Sequence, residues 1–274
     1  MKNFNLTKVL LKLKNQAKLS PVERRKLYRM FCGYYFGLKH NALDKVKSIQ
    51  LFDFKFHFLD KKDIVNQLAR IFSTDDYWVE LDHPEPVIVD LRAGEGLKVL
   101  FFKWLYPDAR IYAFERDFRL FQLLRRNIET NDLQGVIAKH GLVLDYDGME
   151  VFEEVSDRVP AFRLAGVVGL EEIDLMNFPL DEYSDRLLKN LDREHILSRI
   201  DHLLLDLPKE GLPQQQINHF FDTLSNVGWR LAQFPVQRSV ALIDDIDFFT
   251  YPLQEALREN FLKKWWGKSL IKLR

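Results

Sequence analysis

The stretch Pro86-Val87-Ile88-Val89-Asp90-Leu91-Arg92-Ala93-Gly94-Glu95-Gly96 decides the fold. A short apolar run ends in an acid and opens into a small-residue turn. A helical pattern to Tyr106 follows, with Leu97, Leu100, Phe101, Trp104 and Leu105 on one side. A second strand, Arg110-Ile111-Tyr112-Ala113-Phe114-Glu115, also ends in an acid. Strand, turn, helix, strand and terminal acid are the grammar of a nucleotide-binding unit. From Pro86 on, strands alternate with helices, which predicts a parallel, doubly wound sheet in an α/β fold.

Upstream of that unit the pattern is helical. Leu6, Val9, Leu10 and Leu13 have helical spacing with lysines between them, predicting a helix over Asn5–Lys18. Ser20-Pro21-Val22-Glu23 is a start signal: serine caps, proline suits the first turn, and the glutamate completes a capping box. The helix that follows carries Leu27, Met30, Phe31 and Tyr34 and is expected to end near Gly37. Ile49–Phe58 alternates apolar and polar residues from Gln50 on, as a half-buried strand pair does, and Asp63–Phe72 reads as a short amphipathic helix. The chain divides into a basic helical extension (1–48), an α/β domain (49–257) and a basic aromatic tail (258–274).

Composition narrows the class. The chain has 274 residues, 47% of them apolar, enough for a substantial core. No apolar run approaches the roughly 20 residues of a membrane span, and the first residues lack the apolar core and small-residue cleavage site of a leader. Cys32 is the single cysteine, so there is no internal disulfide and no cysteine cluster for zinc; a packing role in a reducing cytoplasm is expected. Net charge is zero but unevenly spread. Residues 1–50 hold twelve Lys/Arg against two Asp/Glu, residues 258–274 six against one, and residues 51–257 22 against 37, a balance of −15. Such ends suit an anionic membrane surface or another polyanion, or pack against the protein's own acidic body, which is the reading favoured here. The tail Phe261–Arg274 mixes tryptophan, lysine and leucine as membrane headgroup binders do, and equally as a surface-packed helix does. A nucleic-acid partner has no stacking platform or RNA-binding motif to support it. Nothing in the sequence sets the oligomeric state.

In the decisive unit, Asp90 stands where its carboxylate can accept from loop amides or from a ligand's ammonium. Gly94 and Gly96 permit a sharp turn and close backbone approach. Glu115 stands 25 residues after Asp90, where an acid can take both hydroxyls of a ribose and repel a 2′-phosphate. A dinucleotide turn wants Gly-x-Gly-x-x-Gly. Arg92–Leu97 lacks that spacing, and Glu95 would repel a diphosphate. An acid-rich turn better suits a sulfonium and an ammonium, so S-adenosylmethionine is the cofactor expected. His140 follows the third strand, Gly135–His140, where it could bound an adenine.

With these residues in view, the run from about Ile49 to Tyr251 resembles the FkbM family of S-adenosylmethionine-dependent methyltransferases. Asp90, Ala93 and Gly96 match its first motif, Asp-x-Gly-Ala-Asn-x-Gly. Phe114-Glu115 matches its apolar strand ending in Glu-Pro, and Leu120–Asn131, with Asn127 and Asn131, matches its helix ending in Asn-x-x-x-Asn. Leu203–Gly211 resembles its late Lys-x-Asp-x-Glu-Gly. Arg92 stands in the first glycine's place, Gly94 in the asparagine's and Arg116 in the proline's. The late motif lacks its lysine and carries two extra residues before Glu210-Gly211. The resemblance implies a class I methyltransferase fold, a seven-stranded sheet with helices on both faces. It also implies methylation of a hydroxyl on a glycan, glycolipid or similar natural product. Asp90, Arg92, Ala93, Gly94, Gly96, Glu115, Arg116 and His140 then line the cofactor site. Arg92 either pairs with the cofactor carboxylate or fills the methionine pocket.

An alcohol is a weak nucleophile, so a base at the carboxyl end of a strand beside the first is useful. Asp206 ends the predicted strand His202–Asp206, and Asp206-Leu207-Pro208 has the acid-x-proline pattern many class I methyltransferases place near the methyl group. Asp206 is the leading candidate for base or acceptor contact, with Lys209 and Glu210 behind it. The carboxylates Asp145, Asp147, Asp206, Asp244, Asp245 and Asp247 do not have the spacing of a metal site, and no metal is expected. The alternative to an enzyme is an inactive descendant of the same fold serving as a binding or scaffold subunit.

Overall fold

The structure, a computed structural model, describes residues 6–39, 47–73, 77–152, 157–206, 214–226, 229–231 and 239–243. In chain order come helices α1 (Leu6–Asn15) and α2 (Pro21–Lys39), strands β1 (Ser48–Leu51) and β2 (Phe54–His57), and α3 (Lys61–Ser73). Then follow β3 (Val87–Asp90), α4 (Leu97–Leu105), β4 (Arg110–Glu115), α5 (Phe118–Thr130), β5 (Val136–His140), β6 (Leu142–Leu144), β7 (Gly148–Phe152) and β8 (Asp157–Arg163). The last elements are α6 (Leu164–Val168), β9 (Ile173–Pro179), α7 (Ser184–Arg193), β10 (Ile200–Asp206), α8 (Gln214–Asn226), β11 (Arg230–Leu231) and β12 (Ser239–Ile243).

The central sheet runs β11-β12-β10-β9-β3-β4-β5, with every neighbouring pair parallel. It is the expected doubly wound α/β sheet. β3, first in sequence, sits in the middle. The chain winds outward through β4 and β5, then returns to β9 on the other side of β3. That reversal places a crevice between β3 and β9 at the carboxyl ends of the strands. β3 is buried throughout because both its faces are covered. Ile88, Ile111, Ala113, Leu175 and Leu204 pack with Leu100, Phe101 and Leu124 of α4 and α5. The alternate residues Val89, Phe114, Met176, Leu203 and Leu205 pack with Leu188 and Leu191 of α7 and Phe220 and Leu224 of α8. A small separate sheet, β6-β8-β7, follows β5 and was not foreseen from the sequence.

The N-terminal helices join the first of these layers. Val9, Leu13, Leu27 and Phe31 share one buried cluster with Leu68, Phe72 and Phe101. The capping box forms as read: Ser20 N–H donates to Glu23 Oε2 at 2.7 Å and Glu23 N–H to Ser20 Oγ at 3.2 Å. β1 and β2 form the expected hairpin. Asn127 of α5 and Asn131, the residue just after it, act as substitute strand partners for it. Asn127 Oδ1 accepts from His57 N–H (2.7 Å) and its amide donates to His57 O (2.8 Å). Asn131 makes the same pair of bonds to Lys55, at 2.7 and 2.9 Å. The four-residue spacing of the two amides matches the two-residue step of the strand they face.

Among the described residues no helix is long and apolar enough to cross a membrane, and no three His, Cys, Asp or Glu side chains are gathered to hold a metal ion. Lys209, Glu210, Asp244, Asp245, Asp247 and the tail 258–274 lie outside the described residues.

Candidate functional site

The turn after β3 is built by two glycines and two acids. Gly94 (φ 57°) and Gly96 (φ 92°) take left-handed backbone conformations. A Cβ on Gly96 would meet Leu124 Cδ1 of α5 at 2.7 Å, so that side chain would have to shift, and the left-handed φ adds strain whatever the space. Arg92 is not among the residues at positive φ, so a large side chain in the first glycine's place costs the backbone nothing. Ala93 is buried, and its N–H donates to Phe114 O at 2.8 Å, tying the turn to β4.

Glu115, at the end of β4, is 3% exposed. One carboxylate oxygen accepts from Gly94 N–H (2.7 Å) and the other from Asp117 N–H (2.8 Å). Burial raises its pKa, against the pull of those two bonds. Glu115 therefore shapes the turn before it can contact any ribose. Glu95 points the other way. It accepts from Leu59 N–H at 2.7 Å, and its own carbonyl accepts from Asn127 at 2.7 Å. Burial, with Asp63 and Asp60 nearby, lifts its carboxyl to about 7 against the Leu59 bond.

A shallow cleft, open to solvent, lies at the carboxyl ends of β3, β4, β5 and β9. Leu91, Leu142, Val143, Pro179 and Leu187 form its apolar wall, and Arg92, Arg116, Asp181 and Tyr183 its polar one. Arg92 Nη2 donates to Asp181 Oδ2 at 2.5 Å, and Arg116 stands 3.7 Å from Glu182. Both arginines thus reach from the β3 and β4 ends to the loop after β9. His140 does not line this cleft. Its ring packs on Phe118 and Phe121 of α5, with centroids 5.2 and 5.3 Å away, and its Nε2 lies 3.1 Å from Arg116 O. The adjacent Gly141 occupies the cleft wall, because His140 is drawn to the aromatic pair.

A buried charge network joins the carboxyl ends of β3, β9 and β10 to α3 and α4. Lys98, in the first turn of α4, places its ammonium 3.2 Å from Asp90 Oδ1 and 2.9 Å from Asp206 Oδ2. Asn177 of β9 donates to both acids, at 2.7 and 3.0 Å. Tyr77 donates to Asp206 Oδ1 at 3.1 Å, and Arg70 of α3 stands 3.6 Å from the same oxygen. Burial pushes the Asp206 carboxyl up, but Lys98 and Arg70 bring it down to about 2. Asp206 is thus a buried anion with both oxygens engaged inside the protein, and its expected place on a strand beside the first is corrected by topology. The strand beside β3 is β9, not β10, and β9 ends in Asn177-Phe178-Pro179. That amide-x-proline segment has the same pattern as the one read at Asp206-Leu207-Pro208, and was the available signal for Asn177. Lys98, Tyr77, Arg70 and Asp181 had no signal in the sequence.

Two acceptor atoms in this network lack donors. Asp90 Oδ2 and Asn177 Oδ1 are buried without partners. Their residues are register partners on β3 and β9, each 0% exposed. Buried acceptors in native proteins are generally satisfied by protein, water or ligand. The two acceptors suit a group that donates, such as an ammonium, and the Arg92 guanidinium at the cleft wall suits a carboxylate. The residues present therefore fit the amino-acid end of S-adenosylmethionine.

Neither a protein-family model nor a curated protein matches this chain. Among solved structures, it is similar to a methyltransferase from Pyrococcus furiosus (15% identity, 73% of this chain and 89% of that one, TM-score 0.43). It is similar also to the precorrin-6y C5,15-methyltransferase from Geobacter metallireducens (14% identity, 68% and 80%, TM-score 0.38). A third is M. jannaschii TYW2 in complex with AdoMet (14% identity, 68% and 74%, TM-score 0.37).

Proposed function

We propose that this protein is an S-adenosylmethionine-dependent methyltransferase whose cofactor lies in the crevice between β3 and β9. The observation that carries the reading is the pair of donor-less acceptors, Asp90 Oδ2 and Asn177 Oδ1, at the strand reversal beside a cleft lined by Arg92. When bound, the cofactor supplies an electrophilic methyl group on a sulfonium. Asp90 and Asn177 accept from the ammonium, Leu142 and Val143 offer an apolar wall to the adenine, and Glu115 holds the Gly94–Gly96 turn in shape. Lys98 and Arg70 neutralise Asp90 and Asp206 at these strand ends.

For the acceptor we propose a hydroxyl of a glycan, glycolipid or similar natural product, the class implied by the FkbM resemblance. With Asp206 held as a structural anion, a base for that hydroxyl comes from the segment after β10 that carries Lys209 and Glu210. For the basic N-terminal helices, packing on the protein's own body is supported by Lys18, which donates to Trp78 O at 2.5 Å and pairs with Glu80 at 3.6 Å. Sedimentation of the protein with phosphatidylserine vesicles, but not with phosphatidylcholine vesicles, would instead favour peripheral attachment to an anionic surface.

The test is isothermal titration of the full chain with S-adenosylmethionine and S-adenosylhomocysteine, with amide exchange followed in parallel. Micromolar binding and slowed exchange at 91–96 and 141–143 are expected. A second reading, an inactive binding or scaffold subunit, is favoured by the engagement of both Glu115 oxygens within the protein. Absence of heat from either ligand up to millimolar concentration would refute the enzyme and leave that reading. Transfer of labelled methyl to a glycolipid extract then tests the acceptor class.

A further inference from the structure

We propose that Arg92 is the specificity residue for the ligand's carboxylate, so that the cleft selects adenosine derivatives bearing a whole amino acid at the 5′ position. This rests on the cofactor reading above and decides between two uses of Arg92, gripping the ligand or plugging its pocket.

Three observations support the grip. The first is that the side chain is not demanded by the backbone: the left-handed positions of the turn are Gly94 and Gly96, and Arg92 is not at positive φ. The second is spare donor capacity. A guanidinium carries five N–H donors, and that of Arg92 spends one, on Asp181 Oδ2 at 2.5 Å. The side chain is still 33% exposed, at the wall of an open cleft. The planar fork that remains matches a carboxylate. The third is that its partner is anchored independently. Asp181 Oδ1 accepts from Tyr183 N–H (3.0 Å) and from Ser184 Oγ (3.3 Å), and Asp181 N–H donates to Ser184 Oγ at 2.6 Å. Pro179 O, 3.0 Å from Ser184 Oγ, is the alternative acceptor for that one hydroxyl hydrogen. Asp181 is thus a fixed post in the loop between β9 and α7 that holds the guanidinium at the cleft wall. A ligand carboxylate would share Arg92 with it, while the ammonium beside that carboxylate reaches the donor-less acceptors Asp90 Oδ2 and Asn177 Oδ1. Arg92 follows Asp90 by two residues, and its backbone N–H donates to Asp90 Oδ1 at 3.2 Å, tying the segment that carries Arg92 to the acid that ends β3.

The experiment titrates the full chain with three probes: S-adenosylhomocysteine, its decarboxylated analogue, and 5′-methylthioadenosine, which lacks the whole amino acid. Wild type is expected to bind S-adenosylhomocysteine at least tenfold more tightly than the decarboxylated analogue. Arg92→Gln should abolish that ratio while leaving 5′-methylthioadenosine affinity unchanged, and Arg92→Lys should restore part of it. Thermal melts of the variants confirm that they fold. Equal ratios in wild type and Arg92→Gln overturn the proposal and leave the cofactor reading standing. Tighter binding of S-adenosylhomocysteine by Arg92→Gln overturns it in favour of a plug. Absence of binding of all three probes to wild type overturns the cofactor reading and the proposal together.

Discussion

Replacing Glu95 by glutamine tests how the glycine turn is tied to the N-terminal hairpin. Glu95 is 9% exposed, and its carboxylate accepts from Leu59 N–H while Asp60 and Asp63 stand nearby. Its carboxyl is raised from 4.5 to about 7. A raised acid favours the protonated folded state. The unfolded chain releases its proton from about pH 4.5, the folded chain only near 7, so wild-type stability is full below 4.5, falls as pH rises to about 7 and is flat above. The interval corresponds to about 3 kcal/mol at neutral pH and above. Glutamine keeps an acceptor for Leu59 and removes the charge. Glu95→Gln is therefore expected to be more stable than wild type by about 2–3 kcal/mol at pH 8, with the difference vanishing near pH 4.5. Urea unfolding of both proteins between pH 4.5 and 8 measures this, and the difference between them cancels the other titrating groups. A difference that does not change with pH would refute the reasoning, because it would show that the Glu95 proton is not linked to folding.

Asn127→Ala removes three buried bonds, to His57 N–H, His57 O and Glu95 O, and should cost about 2–4 kcal/mol, whereas Asn131→Ala, at the exposed end of the same clamp, should cost about 1 kcal/mol. Urea unfolding separates them, and equal costs would argue against burial as the cause. Lys98→Met leaves Asp90 without its cation and Asp206 with Arg70 alone, and should cost about 3–5 kcal/mol at neutral pH. Because the bared carboxylates then bind protons more readily, that deficit should shrink as pH falls toward 4, and Lys98→Met with Asp206→Asn should recover part of it. A deficit that does not change with pH would mean that lost packing, not uncompensated charge, is the cause.

The sequence by itself determined the features that depend on near neighbours. The Val87–Asp90 strand, the capping box at Ser20 and Glu23, the β1–β2 hairpin and the two left-handed glycines are set by periodicity, side-chain reach or backbone sterics within a few residues. The alternation of strands and helices after Pro86 carried the doubly wound sheet for the same reason. Tertiary structure alone decided what each charged residue does. Arg92 meets Asp181 across 89 residues, and Lys98 meets Asp206 across 108. Two segments, Asn177-Phe178-Pro179 and Asp206-Leu207-Pro208, carry the same kind of pattern, and the sheet order chose between them by placing β9 beside β3. Asp206 reads as a base in the sequence because its type and strand-end position are local facts. Its low proton affinity comes from Lys98 and Arg70, cations delivered by two other elements. A carboxylate's chemistry is set by the charges within a few ångströms of it, and which charges those are is a property of strand order and helix packing, not of the residues beside it in the chain.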